Sequence, residues 1–285
     1  MDADVRVQPT ELHEAYVFDL DGTIYLGDHL LPGAARLIHE LRRREIPVRF
    51  LSNNPTKDPD QYARKLASLG LPTDVSDIAN TVVTTTRWLL AHHPDAVLFP
   101  ISEEPLKNAL RVAGFRLSED PAEIDIVIAS YDRGFDYRKL QIAFDAIWFH
   151  QRAFLIQTNP DRFCPFPGGR GEPDCASITA AIEACTSTRC QVSLGKPDPI
   201  MLREALEGLD VDLADCVMVG DRLQTDIQMA LDAGMASALV LTGEATADDV
   251  RALGPDHLPS YVLDRVDRLI PASIWDELGW TDTLD

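Results

Sequence analysis

At both ends of the chain, short apolar runs alternate with segments whose apolar residues recur at helical spacing. That alternation constrains the fold more than any other feature. Ala15-Tyr-Val-Phe-Asp19 reads as a buried strand that ends where Gly22 permits a turn. Pro32-Gly33 opens a helical pattern through Ala35, Leu37, Ile38 and Leu41, and Arg42-Arg43-Arg44 closes it with charges suited to a helix C-terminus. Pro47-Val-Arg-Phe-Leu51 is the next predicted strand, and Asp60 to Leu69 the next helix, stopped by Gly70. Strand–helix alternation of this kind predicts a parallel sheet with helices on its faces. The pattern returns later as a strand at Cys216-Val-Met-Val-Gly220, a helix from Asp226 to Ala233 stopped by Gly234, and a strand from Ala236 to Leu241. Tyr261-Val-Leu263 is a last short strand, and Val266 to Leu278 is helical or irregular.

Between the two halves, residues from about Thr81 to Val192 carry elements of their own. Ala96-Val-Leu-Phe99, Ile124 to Ala129 and Ala153 to Gln157 are strand-like, while Pro105 to Ala113 and Tyr137 to His150 are helical. The pattern reads most economically as an α/β core, residues 1–80 and 193–285, interrupted by a second α/β domain at 81–192. A chain of 285 residues suits such a division. His92-His93-Pro94 ends a helix, and Trp148 and Phe149, on an amphipathic helix, are expected in a core or an interface.

Composition removes several functional classes. Acidic residues number 46 against 26 basic ones, for a net charge of -20, which argues against nucleic acid and anionic membranes as partners. A small anionic substrate stays open, since a metal ion and one lysine can reverse a local field. No apolar run is long enough to span a bilayer, and Met1-Asp-Ala-Asp4 lacks the basic and apolar stretches of a secretory signal, so a cytoplasmic protein is expected. The cysteines, at 164, 175, 185, 190 and 216, form no CxxC pair and are expected as reduced, structural thiols; for Cys164 a buried position is favoured.

Four motifs carry chemistry, each directly after a strand or between elements. Asp19-Leu20-Asp21-Gly22-Thr23 puts two carboxylates on the same side of an extended backbone at a strand end, where a parallel sheet borders its ligand crevice. Such a pair suits a hard cation such as magnesium, and it allows one Asp to act as nucleophile while the other handles a proton. Ser52-Asn53-Asn54 offers a hydroxyl and backbone N–H groups for phosphate oxygens, although these residue types also make ordinary turns. In Gly195-Lys196-Pro197-Asp198-Pro199, the ammonium could neutralise a phosphoryl group or simply lie on the surface. In Val219-Gly220-Asp221-Arg222-Leu223-Gln224-Thr225-Asp226, Asp221 is placed to ligate a metal, and Asp226 to cap a helix or order the metal's surroundings.

Taken in order, the four motifs resemble the haloacid dehalogenase (HAD) superfamily, whose pattern is DxDxT, a Ser or Thr, a Lys, and GDxxxD. The insertion between the second and third motifs resembles the subfamily IIA, NagD-type and nitrophenyl phosphatase-like, arrangement. Tyr131-Asp-Arg-Gly-Phe-Asp-Tyr137, Lys139-Leu140 and Gln157-Thr-Asn-Pro-Asp161 look like its cap domain. The resemblance implies a Rossmann-like parallel-sheet core with an inserted α/β cap. It implies a magnesium-dependent phosphatase that hydrolyses a small phosphorylated metabolite through an aspartyl-phosphate. Asp19 would be the nucleophile and Asp21 the general acid and later base. Ser52, Asn53, Asn54 and Lys196 would hold the phosphoryl group, with Asn159 and Asp161 on the cap side. Magnesium would be bound by Asp19, Asp21 (through its carbonyl) and Asp221, with Asp226 in support. A homodimer is also implied.

One stretch departs from the pattern. Many relatives carry a PGxG-like turn after the TNPD segment, but this chain reads Pro167-Gly-Gly-Arg-Gly-Glu-Pro-Asp-Cys-Ala176, expected as a plain loop bordering the substrate. Specificity is expected at Asn159, Asp161 and Arg170. The rival readings are a phosphotransferase using the same intermediate, a receiver-type signalling domain, and a catalytically silent phosphometabolite-binding protein. The second Asp of the pair and the large insertion count against the receiver, and the intact carboxylates count against the silent protein.

Overall fold

The computed structural model describes residues 8–166 and 170–283. By its contacts the chain divides into two units: residues 1–51, 63–78 and 205–285, and residues 52–62 and 79–204.

The first unit is organised by a six-stranded sheet. Its strand order is Tyr261–Leu263, Ala236–Val240, Cys216–Gly220, Ala15–Asp19, Val48–Ser52 and Ile78–Asn80. Ala15–Asp19 pairs in parallel with both neighbours, with Phe18 level with Val219 on one side and Phe50 on the other. The remaining pairings out to Tyr261–Leu263 are parallel too. A strand covered on both faces must be apolar at every position rather than at alternate ones, and Ala15, Tyr16, Val17 and Phe18 are all fully buried.

The helix Ala34–Arg43 buries Leu37, Ile38 and Leu41 and places Arg42 and Arg43 in its last turn, as the periodicity predicts. Gly33 precedes it with φ 85°, and a Cβ there would collide with the Asp267 carboxylate. Asp267 is fully buried and held by Arg36 Nε at 2.6 Å and Arg265 Nε at 2.8 Å. Leu223–Ile227 forms a π-turn, and the regular helix begins only at Gln228, so Asp226 lies in the turn rather than opening the helix.

The second unit has its own parallel sheet, ordered Val192–Ser193, Phe154–Gln157, Ile126–Ala129, Val97–Ile101 and Arg116–Leu117. Apolar clusters cover both faces. One joins Val127 and Ala129 to Ile142, Ala146, Ile178 and Ile182. The other joins Leu98, Ile126 and Ile156 to Val82, Leu89, Leu106 and Leu194.

Several elements differ from the sequence reading. The helix Thr81–His92 was hidden by its β-branched run; it is started by the Asn80 side chain, which accepts the Val83 N–H at 3.2 Å. Part of the expected glycine-rich loop is a strand: Arg170–Pro173 pairs antiparallel with Phe163–Phe166, and residues 167–169 lie outside the described residues. The helix Cys175–Thr186 follows, opened by Asp174, whose carboxylate accepts the Cys175 N–H at 2.5 Å. Trp148 and Phe149 are 55% and 68% exposed, so they belong to no core of this chain; a π-turn over Asp145–Phe149 changes the face on which they emerge. Residues 52–62 and 193–204, read with the first domain, group by contacts with the second unit. Thr81 Oγ1 donates to the Asn53 carbonyl at 2.9 Å, and Val192–Ser193 adds to the second sheet. No helix among the described residues is long and apolar enough to cross a membrane.

Candidate active site

In the first unit, three carboxylates converge. Asp19, Asp221 and Asp226 each offer one oxygen, all within 4.8 Å of one another. Asp19 ends its strand, and Asp221 follows the adjacent strand Cys216–Gly220. The approach is possible because the backbone around these groups lacks side chains. A Cβ on Gly22 would lie 2.5 Å from Asp221 Oδ2, one on Gly220 would strike the Asp226 carboxylate, and one on Gly243 would strike Asp221 again. Backbone amides orient the carboxylates: Glu244 N–H donates to Asp221 Oδ2 at 2.7 Å, and Arg222 N–H to Asp226 Oδ2 at 3.2 Å. Gly243 and Glu244 were missed in the sequence. They follow the strand Ala236–Val240, so the rule that strand ends border the crevice would have found them.

Asp21 stands apart from this trio. Its side chain is exposed, and its Oδ2 accepts a hydrogen bond from the Tyr25 hydroxyl at 3.1 Å. The Gly22 N–H donates to the Tyr25 carbonyl at 2.8 Å, with Gly22 at φ 86°, which closes the turn that follows Asp21.

Carboxylates at this spacing repel by about 3–4 kcal/mol per pair at an effective dielectric of 20. Asp221 is 4% exposed and Asp226 fully buried, so little water screens them. An all-oxygen donor set of this charge fits a hard divalent cation.

The second unit brings together the remaining site residues of the sequence reading. Ser52 is buried, with its Oγ 2.9 Å from the Tyr62 hydroxyl, and it accepts the Asn54 N–H at 3.3 Å. The Asn53 side chain binds both backbone groups of Lys196 and also reaches Asp161 Oδ1 at 3.4 Å. Asn54 accepts from Thr56 N–H and Oγ1 at 2.9 and 2.7 Å, which makes it a turn-forming residue. Lys196 is 3% exposed, a buried ammonium rather than a surface one. Asn159 is fully buried and donates to Asp161 and Asp174, each at 3.2 Å. Gly195 makes this packing possible, since a Cβ there would fall 2.7 Å from Asn53 Oδ1 and 2.8 Å from the Thr158 carbonyl.

Tyr62 and Asp174 were not singled out from sequence; Asp174, directly before a helix, carried the signature of a cap. The five cysteines are thiols rather than disulfides. Cys164 is only partly buried, contrary to the expected buried thiol, because it faces the turn: its Sγ lies 4.0 Å from Asn54 Nδ2. Cys175 is fully buried, and burial pushes its pKa up to about 12.

Known proteins resemble this chain in sequence and in fold. Residues 16–116 match the haloacid dehalogenase-like hydrolase family model, and residues 193–269 a HAD-hydrolase-like model. The acid sugar phosphatase of Staphylococcus saprophyticus is 33% identical over 239 residues, which cover 84% of this chain and 90% of that protein. The sugar-phosphatase AraL of Bacillus subtilis is 34% identical over 88% of this chain and 89% of its own. The solved 4-nitrophenylphosphatase from Thermotoga maritima matches with a TM-score of 0.84 at 31% identity, covering 90% of this chain and 96% of that one. The chain belongs to the haloacid dehalogenase-like hydrolases. Within them its similarity is to the NagD-type, nitrophenyl phosphatase-like members.

Proposed function

We propose that this chain is a phosphatase that hydrolyses the phosphate monoester of a small sugar or similar hydroxylated metabolite, with Asp19 as the nucleophile. The observation that carries the reading is the convergence of Asp19 and Asp221, at the ends of adjacent parallel strands, with Asp226 of the following turn. The sugar-phosphatase names of two relatives support the substrate class.

In the proposed reaction an Asp19 oxygen attacks phosphorus, and the bond from phosphorus to the ester oxygen breaks. The departing alkoxide takes a proton from Asp21, whose exposed carboxyl is steadied by Tyr25. Asp21 then removes a proton from water, which attacks the phosphoryl group, breaks its bond to Asp19 and releases phosphate. Ser52 and Lys196 hold the phosphoryl oxygens, and Asn53 holds Lys196. Asp19, Asp221, Asp226 and the Asp21 carbonyl would hold a magnesium ion, which when bound neutralises charge on the phosphoryl oxygens. The proposed working state is a cytoplasmic homodimer, which light scattering on the purified chain tests.

A panel of phosphate esters assayed for phosphate release with magnesium tests the function. Turnover of sugar phosphates and of 4-nitrophenyl phosphate is expected, and release of phosphate from none of them would end the reading.

A further inference from the structure

The second unit holds a polar cluster that the reaction above leaves without a task. Glu172, in the strand Arg170–Pro173, accepts hydrogen bonds from the Tyr131 hydroxyl and, at 2.7 Å, from Arg133 Nε, both on Oε2. Arg133 is fixed from two further sides. One of its terminal nitrogens pairs with Glu103 at 2.8 Å, and its guanidinium lies 4.9 Å from the centre of the Tyr131 ring. The Tyr131 hydrogen bond, and then that of Arg133, hold the Glu172 pKa below the ordinary carboxylate value. Glu172 Oε1 takes no hydrogen bond from any described residue, and the side chain is 43% exposed. The result is an ionised carboxylate anchored by one oxygen and open at the other.

This cluster adjoins the Ser52–Asn54 turn. Cys164 is the cross-strand partner of Glu172 in the hairpin. Directly opposed side chains of an antiparallel pair leave the same face about 5 Å apart. The Cys164 thiol in turn lies 4.0 Å from Asn54 Nδ2. Cys164 therefore neighbours both the turn and Glu172.

We propose that Glu172, oriented by Tyr131 and Arg133, is a specificity determinant whose open oxygen accepts a hydrogen bond from a hydroxyl of the substrate's carbon skeleton. The class it selects is polyol and sugar phosphates; the class it rejects is phosphate esters with a carboxylate tail, such as phosphoglycolate. An ionised carboxylate accepts a hydroxyl proton but has none to offer a second carboxylate, and the two like charges repel. The inference rests on the phosphatase reading and narrows it.

The test is steady-state kinetics of the full chain and of Glu172→Ala and Glu172→Gln. The substrates are a hexose phosphate, glycerol phosphate, phosphoglycolate and 4-nitrophenyl phosphate. Glu172→Ala is expected to lower kcat/KM for the better hydroxylated ester by about tenfold to a hundredfold, the range for one hydrogen bond to a charged group. It should leave 4-nitrophenyl phosphate within about twofold and raise turnover of phosphoglycolate. Glu172→Gln, which keeps an acceptor but loses the charge, should retain part of the hydroxyl preference and also raise phosphoglycolate. Circular dichroism and thermal unfolding establish that both variants are folded. If both variants scale all four esters by one common factor, Glu172 merely supports the hairpin and the inference is overturned while the phosphatase reading stands. If the unmodified chain hydrolyses none of the four, 4-nitrophenyl phosphate included, the phosphatase reading has failed and takes the inference with it.

Discussion

Asn53 grips the backbone of Lys196 from both directions: its Oδ1 accepts the Lys196 N–H at 2.8 Å, and its Nδ2 donates to the Lys196 carbonyl at 3.0 Å. The two residues are 143 apart in sequence. Both ends of the amide hold the lysine backbone, so Asn53 is expected to position Lys196.

Asn53→Ala should therefore cost about 2–4 kcal/mol of stability, because two buried backbone groups lose their partner. It should also depress kcat more than KM. Asn53→Asp keeps the acceptor for the N–H but sets a carboxylate oxygen against the Lys196 carbonyl, so it should be no better than Ala. Denaturant unfolding and kinetics on 4-nitrophenyl phosphate check both; an active, fully stable Asn53→Asp would show that the grip is dispensable.

Asp19→Asn should abolish turnover by several orders of magnitude while circular dichroism stays unchanged, since an amide cannot replace a covalent nucleophile. Near-normal hydrolysis by this variant would remove Asp19 from that role.

Magnesium should raise the thermal unfolding temperature of the chelator-treated protein by several degrees, because a ligand that binds only the folded state stabilises it. In Asp221→Asn the rise should vanish. An equal rise in both proteins would place the cation elsewhere, whatever the activity shows.

Alkaline pH should destabilise the fold in a defined window. The Cys175 thiol, donating to the Ala129 carbonyl at 3.2 Å, ionises at about 12 when folded against an ordinary value of 9.0. Burial likewise pushes Cys190 and Cys216 up to about 11. Above pH 9 the unfolded chain has lost protons that the folded chain keeps, so this stability is full below pH 9 and declines as pH rises toward 12. Urea unfolding between pH 8 and about 10.5 should show that decline, with a shallower slope in Cys175→Ala. A flat profile would contradict it.

Much of the first unit was legible because Ala15–Asp19 and Cys216–Gly220 are buried on both faces and so read as unbroken apolar runs. Their following carboxylates stand at strand ends by the logic of the parallel sheet. Less was legible in the second unit, for local reasons. Thr81–His92 is helical despite three consecutive threonines because Asn80 caps it and Val82 and Leu89 are buried. The strand Arg170–Pro173 contains glycine and proline, poor strand formers, and exists through its pairing with Phe163–Phe166. The grouping of residues 52–62 with the later chain depends on contacts such as Asn53 with Lys196, which no local pattern encodes.

The glycines around the carboxylate trio change what mutational tolerance means for this chain. Gly22, Gly220 and Gly243 contribute no functional group, yet each leaves no room for even one added carbon beside Asp221 or Asp226. In a library that varies every position, these three should be depleted as sharply as the aspartates themselves. Residues with no chemistry of their own would then outline the reactive centre as clearly as those that perform it.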